Sequence, residues 1–324
     1  MSRDRTEITI VGDEDSGVIA DATDLLFEHD VDIVDLDQAV REGTCRTTLQ
    51  VEIDEMTVSR DRFREELDDL ADEFAVDVQV RFPSSCENQS LAVLVTKESH
   101  CLEALLEAWE NDELGADIEV VIGNHDILRP LAAAYDVPFY DIGDENGTPD
   151  EGELLELLSE YEIDLIALAR YIQILSPEVV FRYEKRIINV HPSLLPAFPG
   201  AAAYRQAHEA GVRIAGVTAH YVTTDLDQGP IITQRAFNVP AGASEADLKE
   251  RGQPLEADAL LEAIRLHLED ELVVDDGQTK LADPDGADTQ LGAPTALDQA
   301  NPSRPIDNRE ELVADGETTA VADD

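Results

Sequence analysis

The chain has 324 residues, with 72 Asp and Glu against 23 Lys and Arg, giving a formal net charge of −49. That balance argues against a nucleic-acid binder, since no basic stripe is present to neutralise phosphates. No apolar run approaches the roughly 20 residues a membrane-spanning helix needs, which argues against a membrane partner. With 43% hydrophobic residues the chain can bury cores, and its length suits two domains and a tail.

The carboxylates are spread along the whole chain, and lysine occurs only at Lys97, Lys185, Lys249 and Lys280. This pattern reads as an acidic surface suited to a high-salt, halophilic cytosol, because molar salt shrinks the Debye length to about 3 Å and removes most self-repulsion. Recruitment of a basic partner is the alternative. The N-terminal MSRDRTEITIVG lacks an export signal, and Cys45, Cys86 and Cys101 give neither an even disulfide framework nor a zinc spacing. A cytoplasmic protein is expected.

Along the chain, residues 5–83 read as a small α/β unit. Ile8 to Val11 forms a strand, Val18, Ala22, Leu25 and Leu26 one helical face, and Val31, Ile33 and Leu36 an extended run. Glu42-Gly43 is a turn into an alternating strand through Cys45, Thr47, Leu49, Val51 and Ile53. Phe63, Leu67, Leu70 and Phe74 mark a second helix, and Val76, Val78 and Val80 a last strand. The order βαββαβ is the ferredoxin-like arrangement. Topology and the turn Glu14-Asp15-Ser16-Gly17-Val18 together resemble ACT domains, regulatory modules that often bind amino acids at dimer interfaces; the family's D-x-x-G opening has Glu14 in place of Asp. The resemblance implies a homo-oligomer and an amino-acid effector, with simple dimerisation as the bland reading.

Residues 84–90 have linker composition. Beyond them Leu91 to Val95 is a continuous apolar strand, followed by a helix near 100–112, a strand at 118–122, helices at 126–135 and 151–161, and a strand at 164–168. Such alternation predicts an α/β domain over 91–270 with a mostly parallel, Rossmann-like sheet, whose ligand lies beyond the strand carboxyl ends. From 271 to 324 the chain is acidic and rich in Pro, Gly, Asp and Thr, so a disordered tail is expected, with 273–277 able to add an edge strand.

Two stretches carry the chemistry: NVHPSLLPAFPG at 189–200 and HYVTTDLDQGPI at 220–231. They place Asn189 and His191 at a strand end and Asp227 in a Gly-Pro turn. An amide can donate to an oxyanion, an imidazole can shuttle protons near neutrality, and a carboxylate can orient and deprotonate water. Taken singly, each has a structural explanation: a satisfied His, an Asn capping neighbouring amides, an Asp bonding its own turn.

Together these motifs resemble the formyltetrahydrofolate-handling enzymes, in which the Asn, the His of HPSLLP and the Asp of LDxGP form the catalytic trio. The resemblance implies that Asn189, His191 and Asp227 are catalytic, that Gln173, Ile174 and Leu175 cradle a pterin, that His220 supports the site, and that Lys97 is a candidate substrate anchor. TKESHCL at 96–102, VIGNHDILR at 121–129 and GAAAY at 200–204 are similar to the deformylase branch, formyltetrahydrofolate deformylase, whereas HPSLLP has the transferase form. The implied activity is hydrolysis of 10-formyltetrahydrofolate to tetrahydrofolate and formate, in support of purine biosynthesis. Transfer of the formyl group to phosphoribosylglycinamide or another amine is the alternative, and a non-catalytic folate- or amino-acid-binding regulator a third reading. No metal or cofactor is expected, and Cys101 has no neighbouring base that would make it a nucleophile.

Overall fold

The computed structural model describes residues 5–13, 17–41, 43–82, 88–269, 272–275 and 277–281. The first part runs β1 (Arg5–Asp13), α1 (Val18–Glu28), β2 (Asp32–Arg41), β3 (Thr44–Glu52), α2 (Arg60–Phe74) and β4 (Asp77–Arg81). Its four strands form an antiparallel sheet in the order β2-β3-β1-β4, the expected ferredoxin-like layout. Because side chains alternate across a strand, Ile8 and Ile10 of β1 and Leu49 and Val51 of β3 share one face. They pack against Val18, Ala22 and Leu26 of α1 and Phe63, Leu67 and Leu70 of α2. Ser59 caps α2 by accepting from Arg62 N–H. Residues 14–16 and 42, which carry most of the expected ACT opening and half of the expected turn, lie outside the described residues.

The second part runs β5 (Gln89–Val95), α3 (His100–Glu110), β6 (Ala116–Gly123), α4 (Arg129–Ala134), β7 (Phe139–Asp141), α5 (Glu151–Glu160), β8 (Leu165–Leu168), α6 (Pro177–Arg182) and β9 (Ile187–His191). It continues through α7 (Ala203–Glu209), β10 (Ile214–Tyr221), β11 (Ile231–Asn238) and α8 (Glu245–Leu268). The seven strands take the order β11-β10-β9-β8-β5-β6-β7, with β5 to β9 parallel and β10 and β11 antiparallel. Both faces are covered: Leu91, Val93 and Val95 of β5 join the cluster under α3 and α8, while Ala92 and Leu94 join the one under α5 and α6. That is why β5 reads as an unbroken apolar run. The chain leaves β5 for β6 on one side and returns to β8 on the other, so the sheet order reverses at β5 and a crevice opens at the carboxyl ends of β5, β8 and β9.

Three expectations need correction. The single helix at 126–135 is a 3-10 turn over Asp126–Leu128 followed by α4 (Arg129–Ala134), which has Pro130 in its first turn, where a residue without N–H is tolerated. The linker expected to reach residue 90 is shortened by β5, whose Gln89 pairs with Ala116 and whose Ser90 N–H is held by the Asp164 carboxylate at 3.0 Å. The tail expected from 271 begins with a hairpin, β12 (Leu272–Asp275) and β13 (Gln278–Leu281), which forms its own two-stranded sheet. The strand allowed for at 273–277 is therefore present as β12, but in a hairpin of its own, and Leu272 and Val274 pack against the core under α8. Residues 282–324 of the expected tail lie outside the described residues.

The two sheets belong to one compact unit. Arg46 of β3 donates to the Phe181 carbonyl at 3.0 Å, pairs with Glu184 and lies 5.1 Å from the Phe181 ring centre. Arg186 is buried and bonds to Gln79 of β4 and to the Arg182 carbonyl.

Candidate active site

A cavity of about 490 Å³ sits at the carboxyl ends of β8 and β9. Asn189, His191, His220 and Asp227 line it, together with Gln173, Ile174, Leu175, Val222 and Leu226. The structure therefore brings together every site residue expected from the sequence except Lys97, which is exposed and does not line the cavity. Its neighbour Glu98 does, together with Arg170 and Lys249.

Register explains the assembly. Strand β9 lies between parallel β8 and antiparallel β10, and the pairing sets Asn189 opposite His220. Between Ala219 and His220 the pairing of β10 with β11 shifts register. Such irregularities re-aim side chains, and this one falls where the imidazole meets the cavity. Beyond β10 the chain turns through Asp227 and Gly229. A β-carbon at Gly229 would fall 1.7 Å from the Tyr221 carbonyl oxygen, so the turn closes only without a side chain there.

Hydrogen bonds define the protonation pattern. His220 Nδ1 lies 2.8 Å from the Tyr221 carbonyl, so it carries the proton, leaving Nε2 to accept from Asn189 Nδ2 at 3.2 Å. Burial holds His220 below its ordinary value despite that carbonyl bond and Asp227, which keeps it neutral. One Asn189 N–H is thus committed, its amide orientation is fixed, and its second N–H remains to meet a developing oxyanion. His191 Nε2 donates to the Phe198 carbonyl at 2.9 Å, which leaves Nδ1 facing Asp227 Oδ2 at 3.4 Å. Asp227 Oδ2 accepts from Gly200 N–H at 2.6 Å, and Oδ1 stands 3.8 Å from His220 Nε2. The carboxylate is almost buried, with its side chain 6% exposed, yet keeps lone pairs for a water.

Backbone strain gathers here. Arg170, Phe198, Ala202 and Asp227 all hold left-handed conformations, with φ of 62°, 56°, 58° and 53°. Such positions cost a non-glycine residue of order 1–3 kcal/mol each and persist where surrounding contacts over-determine them. The loop between β9 and α7 is braced accordingly: Ser193 Oγ donates to the Ala197 carbonyl, Thr218 Oγ donates to the Ser193 carbonyl, and Gln234 donates to the Leu195 carbonyl.

Beside the cavity lies a second polar cluster that sequence reasoning missed. Glu256, in the middle of α8, is fully buried and accepts from Tyr204 Oη, from His100 Nε2 at 3.1 Å and from Arg170 Nε at 3.2 Å. The ligating atoms of His100, Cys101 and Glu256 lie within 4.8 Å of one another, a set whose chemistry suits a divalent cation. Arg170 already places a guanidinium charge on the same carboxylate oxygen, and burial together with Glu256 pushes the Cys101 thiol well above its ordinary value. The geometry is that of a protein-internal ion pair, and Cys101 stays a thiol. The one local signal was Gly252, where a β-carbon would fall 1.8 Å from Tyr204 Oη and block this contact.

Comparisons with known proteins agree with the geometry. Residues 89–264 match the formyl transferase family and residues 7–81 the ACT domain. The formyltetrahydrofolate deformylase of Bacillus subtilis is 36% identical over 287 residues, covering 86% of this chain and 94% of the relative. That of Escherichia coli K12 is 35% identical over 265 residues, covering 81% and 93%. A crystal structure of a formyltetrahydrofolate deformylase from Pseudomonas syringae is similar with a TM-score of 0.60 at 32% identity, covering 87% of this chain and 96% of its own. Glycinamide ribonucleotide transformylase 1 from Symbiobacterium toebii aligns with a TM-score of 0.58 at 34% identity, but covers 60% of this chain.

Proposed function

The chain belongs to the formyltetrahydrofolate deformylase family, and from that premise we propose that it hydrolyses 10-formyltetrahydrofolate to tetrahydrofolate and formate. The observation that carries the reading is the meeting of Asn189, His191 and Asp227 in one cavity that also exposes the apolar side chains of Ile174, Leu175, Val222 and Leu226. A flat heterocycle fits a slot made by Gln173, Ile174 and Leu175, edged by main-chain donors and acceptors. Water held by Asp227 attacks the formyl carbon and gives its proton to the carboxylate. The carbonyl oxygen becomes an oxyanion, met by the free Asn189 N–H, while His191 Nδ1 faces Asp227 and shares the proton that the carboxylate has taken up. Collapse breaks the C–N10 bond; N10 takes up the proton from the His191–Asp227 pair, and the formic acid released gives up its remaining proton to become formate. No cofactor enters this scheme, since water is the only co-substrate.

The test is direct. The protein is incubated with 10-formyltetrahydrofolate in molar KCl, with and without glycinamide ribonucleotide. Formate released at equal rates in both supports hydrolysis; a formyl group appearing only on the amine overturns it in favour of transfer. Among the described residues no helix is long and apolar enough to cross a membrane, and the proposed setting is a high-salt cytoplasm, where formate release supplies one-carbon units for purine synthesis.

The N-terminal sheet supports a regulatory partner. Strand β2 is a ten-residue edge strand that exposes Ile33, Val34, Leu36 and Val40. An exposed apolar edge is a template for pairing, and a second copy of this chain is its proposed occupant, with an amino acid as effector of the ACT domain.

A further inference from the structure

The cavity is lined by a charged cluster as well as by apolar side chains. The cluster is built from Glu98, Arg170, Glu245 and Lys249, with Tyr204 beside them. Glu98 sits at the centre: Oε1 accepts from Lys249 Nζ at 2.6 Å, and Oε2 from Arg170 Nε at 3.3 Å and Gln253 Nε2 at 3.5 Å. Arg170 is anchored a second time by buried Glu256, and its left-handed backbone fixes the direction in which it leaves β8. Two cations and an amide donor thus converge on one point in the wall of a cavity. This is the chemistry of an anion site, and the protein fills it with its own carboxylate. Burial works against the charge on Glu98, but Lys249 and Arg170 outweigh it and hold the group below the usual carboxylate range, so the surrogate anion stays charged.

We infer that Arg170 and Lys249 form a subsite for a phosphate monoester that Glu98 occupies in its place, and that Glu98 thereby keeps an anionic acceptor out of the cavity and leaves water as the nucleophile. The inference rests on the hydrolase reading and adds the residue that sets its acceptor. An incoming dianion would have to displace a carboxylate already held by three donors, and would be repelled by it until it did. Neutralising Glu98 changes the sum directly. Glu98, Glu256 and Glu245 balance Arg170, Lys249 and Arg205, the last paired with Glu245 at 3.3 Å, and replacing one carboxylate by an amide leaves one positive charge in the group.

The experiment measures binding of ribose 5-phosphate to the full chain by calorimetry, for the unmodified protein, Glu98→Gln and Glu98→Ala, with folding checked by circular dichroism. Both variants should bind at least tenfold more tightly than the unmodified protein, and adding Lys249→Met to either should cancel the gain. Glycinamide ribonucleotide should then inhibit formate release, or accept the formyl group, in the single variants only. A gain below tenfold in a folded single variant, or a gain that survives Lys249→Met, overturns the inference. Formate release by the unmodified protein is measured alongside. Its absence overturns the hydrolase reading whatever the binding result, whereas unchanged phosphate affinity overturns only the role of Glu98.

Discussion

The cavity wall around Asp227 and the cluster around Glu256 use the same parts, a buried carboxylate among imidazoles and polar neighbours, to opposite ends. Glu256 is saturated, with Tyr204, His100 and Arg170 all donating to it. Asp227 holds one short bond, from Gly200 N–H, while the imidazoles of His191 and His220 stand off at 3.4 Å and 3.8 Å. A saturated carboxylate fixes geometry, and one with spare lone pairs can receive water and its proton. Residual hydrogen-bonding capacity, more than residue type, separates the reactive group from the structural one.

That contrast can be broken most sharply at Asp227. Asp227→Asn keeps the shape but removes the proton acceptor, and the rate of formate release should fall by about 10²–10⁴ with little change in melting temperature. Equal loss of stability and rate would place Asp227 with Glu256 as a structural group. Glu256→Ala should do the reverse, costing about 3–5 kcal/mol in chemical denaturation because a buried ion pair with Arg170 is broken, leaving that guanidinium with Glu98 alone, and Tyr204 and His100 lose their acceptor. Asn189→Ala should lower the maximal rate by about 10²–10³ while leaving substrate affinity nearly unchanged, since the amide acts on charge that develops only in the transition state; a change confined to KM would remove it from that role.

A smaller effect comes from pH. Burial, with Arg81 and Arg186 nearby, pushes His267 down from 6.5 to about 3, and burial lowers His220 as well. Both bind fewer protons folded than unfolded, so stability declines as the pH falls below about 6.5, and for His267 the loss continues down to about 3. The slope should be up to about 1.4 kcal/mol per pH unit for each group. His267→Gln should flatten the curve of stability against pH in that interval, and an unchanged curve would show that His267 is protonated in the fold. Last, the charge of −49 predicts a melting temperature that rises from dilute to molar KCl; no rise would remove the halophilic reading.

Much of this arrangement was legible because it obeys local rules. The run from Leu91 to Val95 announces a strand buried on both faces, and Asn189 and His191 follow the apolar pair Ile187-Ile188 at the strand end where ligands of parallel sheets gather. The grouping of Asn189 and His191 with Asp227 came from the motifs, since nothing in spacing alone joins residues from two loops. The Glu256 cluster escaped notice because its contacts with Tyr204 and His100 span 52 and 156 residues and Glu256 sits in a helix that also contains Pro254. Strand β7 has three residues, too few to show a period. Lys97 and Glu98 are adjacent in a loop, where no alternation tells which side chain turns toward the cavity.

The Arg46 contact has a mechanical side. Phe181 and Glu184, which it grips, belong to the end of α6 and the turn after it, and that turn leads straight into β9 with its Asn189 and His191. A shift of the N-terminal sheet, such as an effector or a neighbouring copy would impose, is therefore delivered to the root of the strand that carries the amide and the imidazole. Under the proposed mechanism, displacing the Asn189 donor by a fraction of an ångström would throttle turnover while the proposed pterin slot, built on a different segment, stayed open.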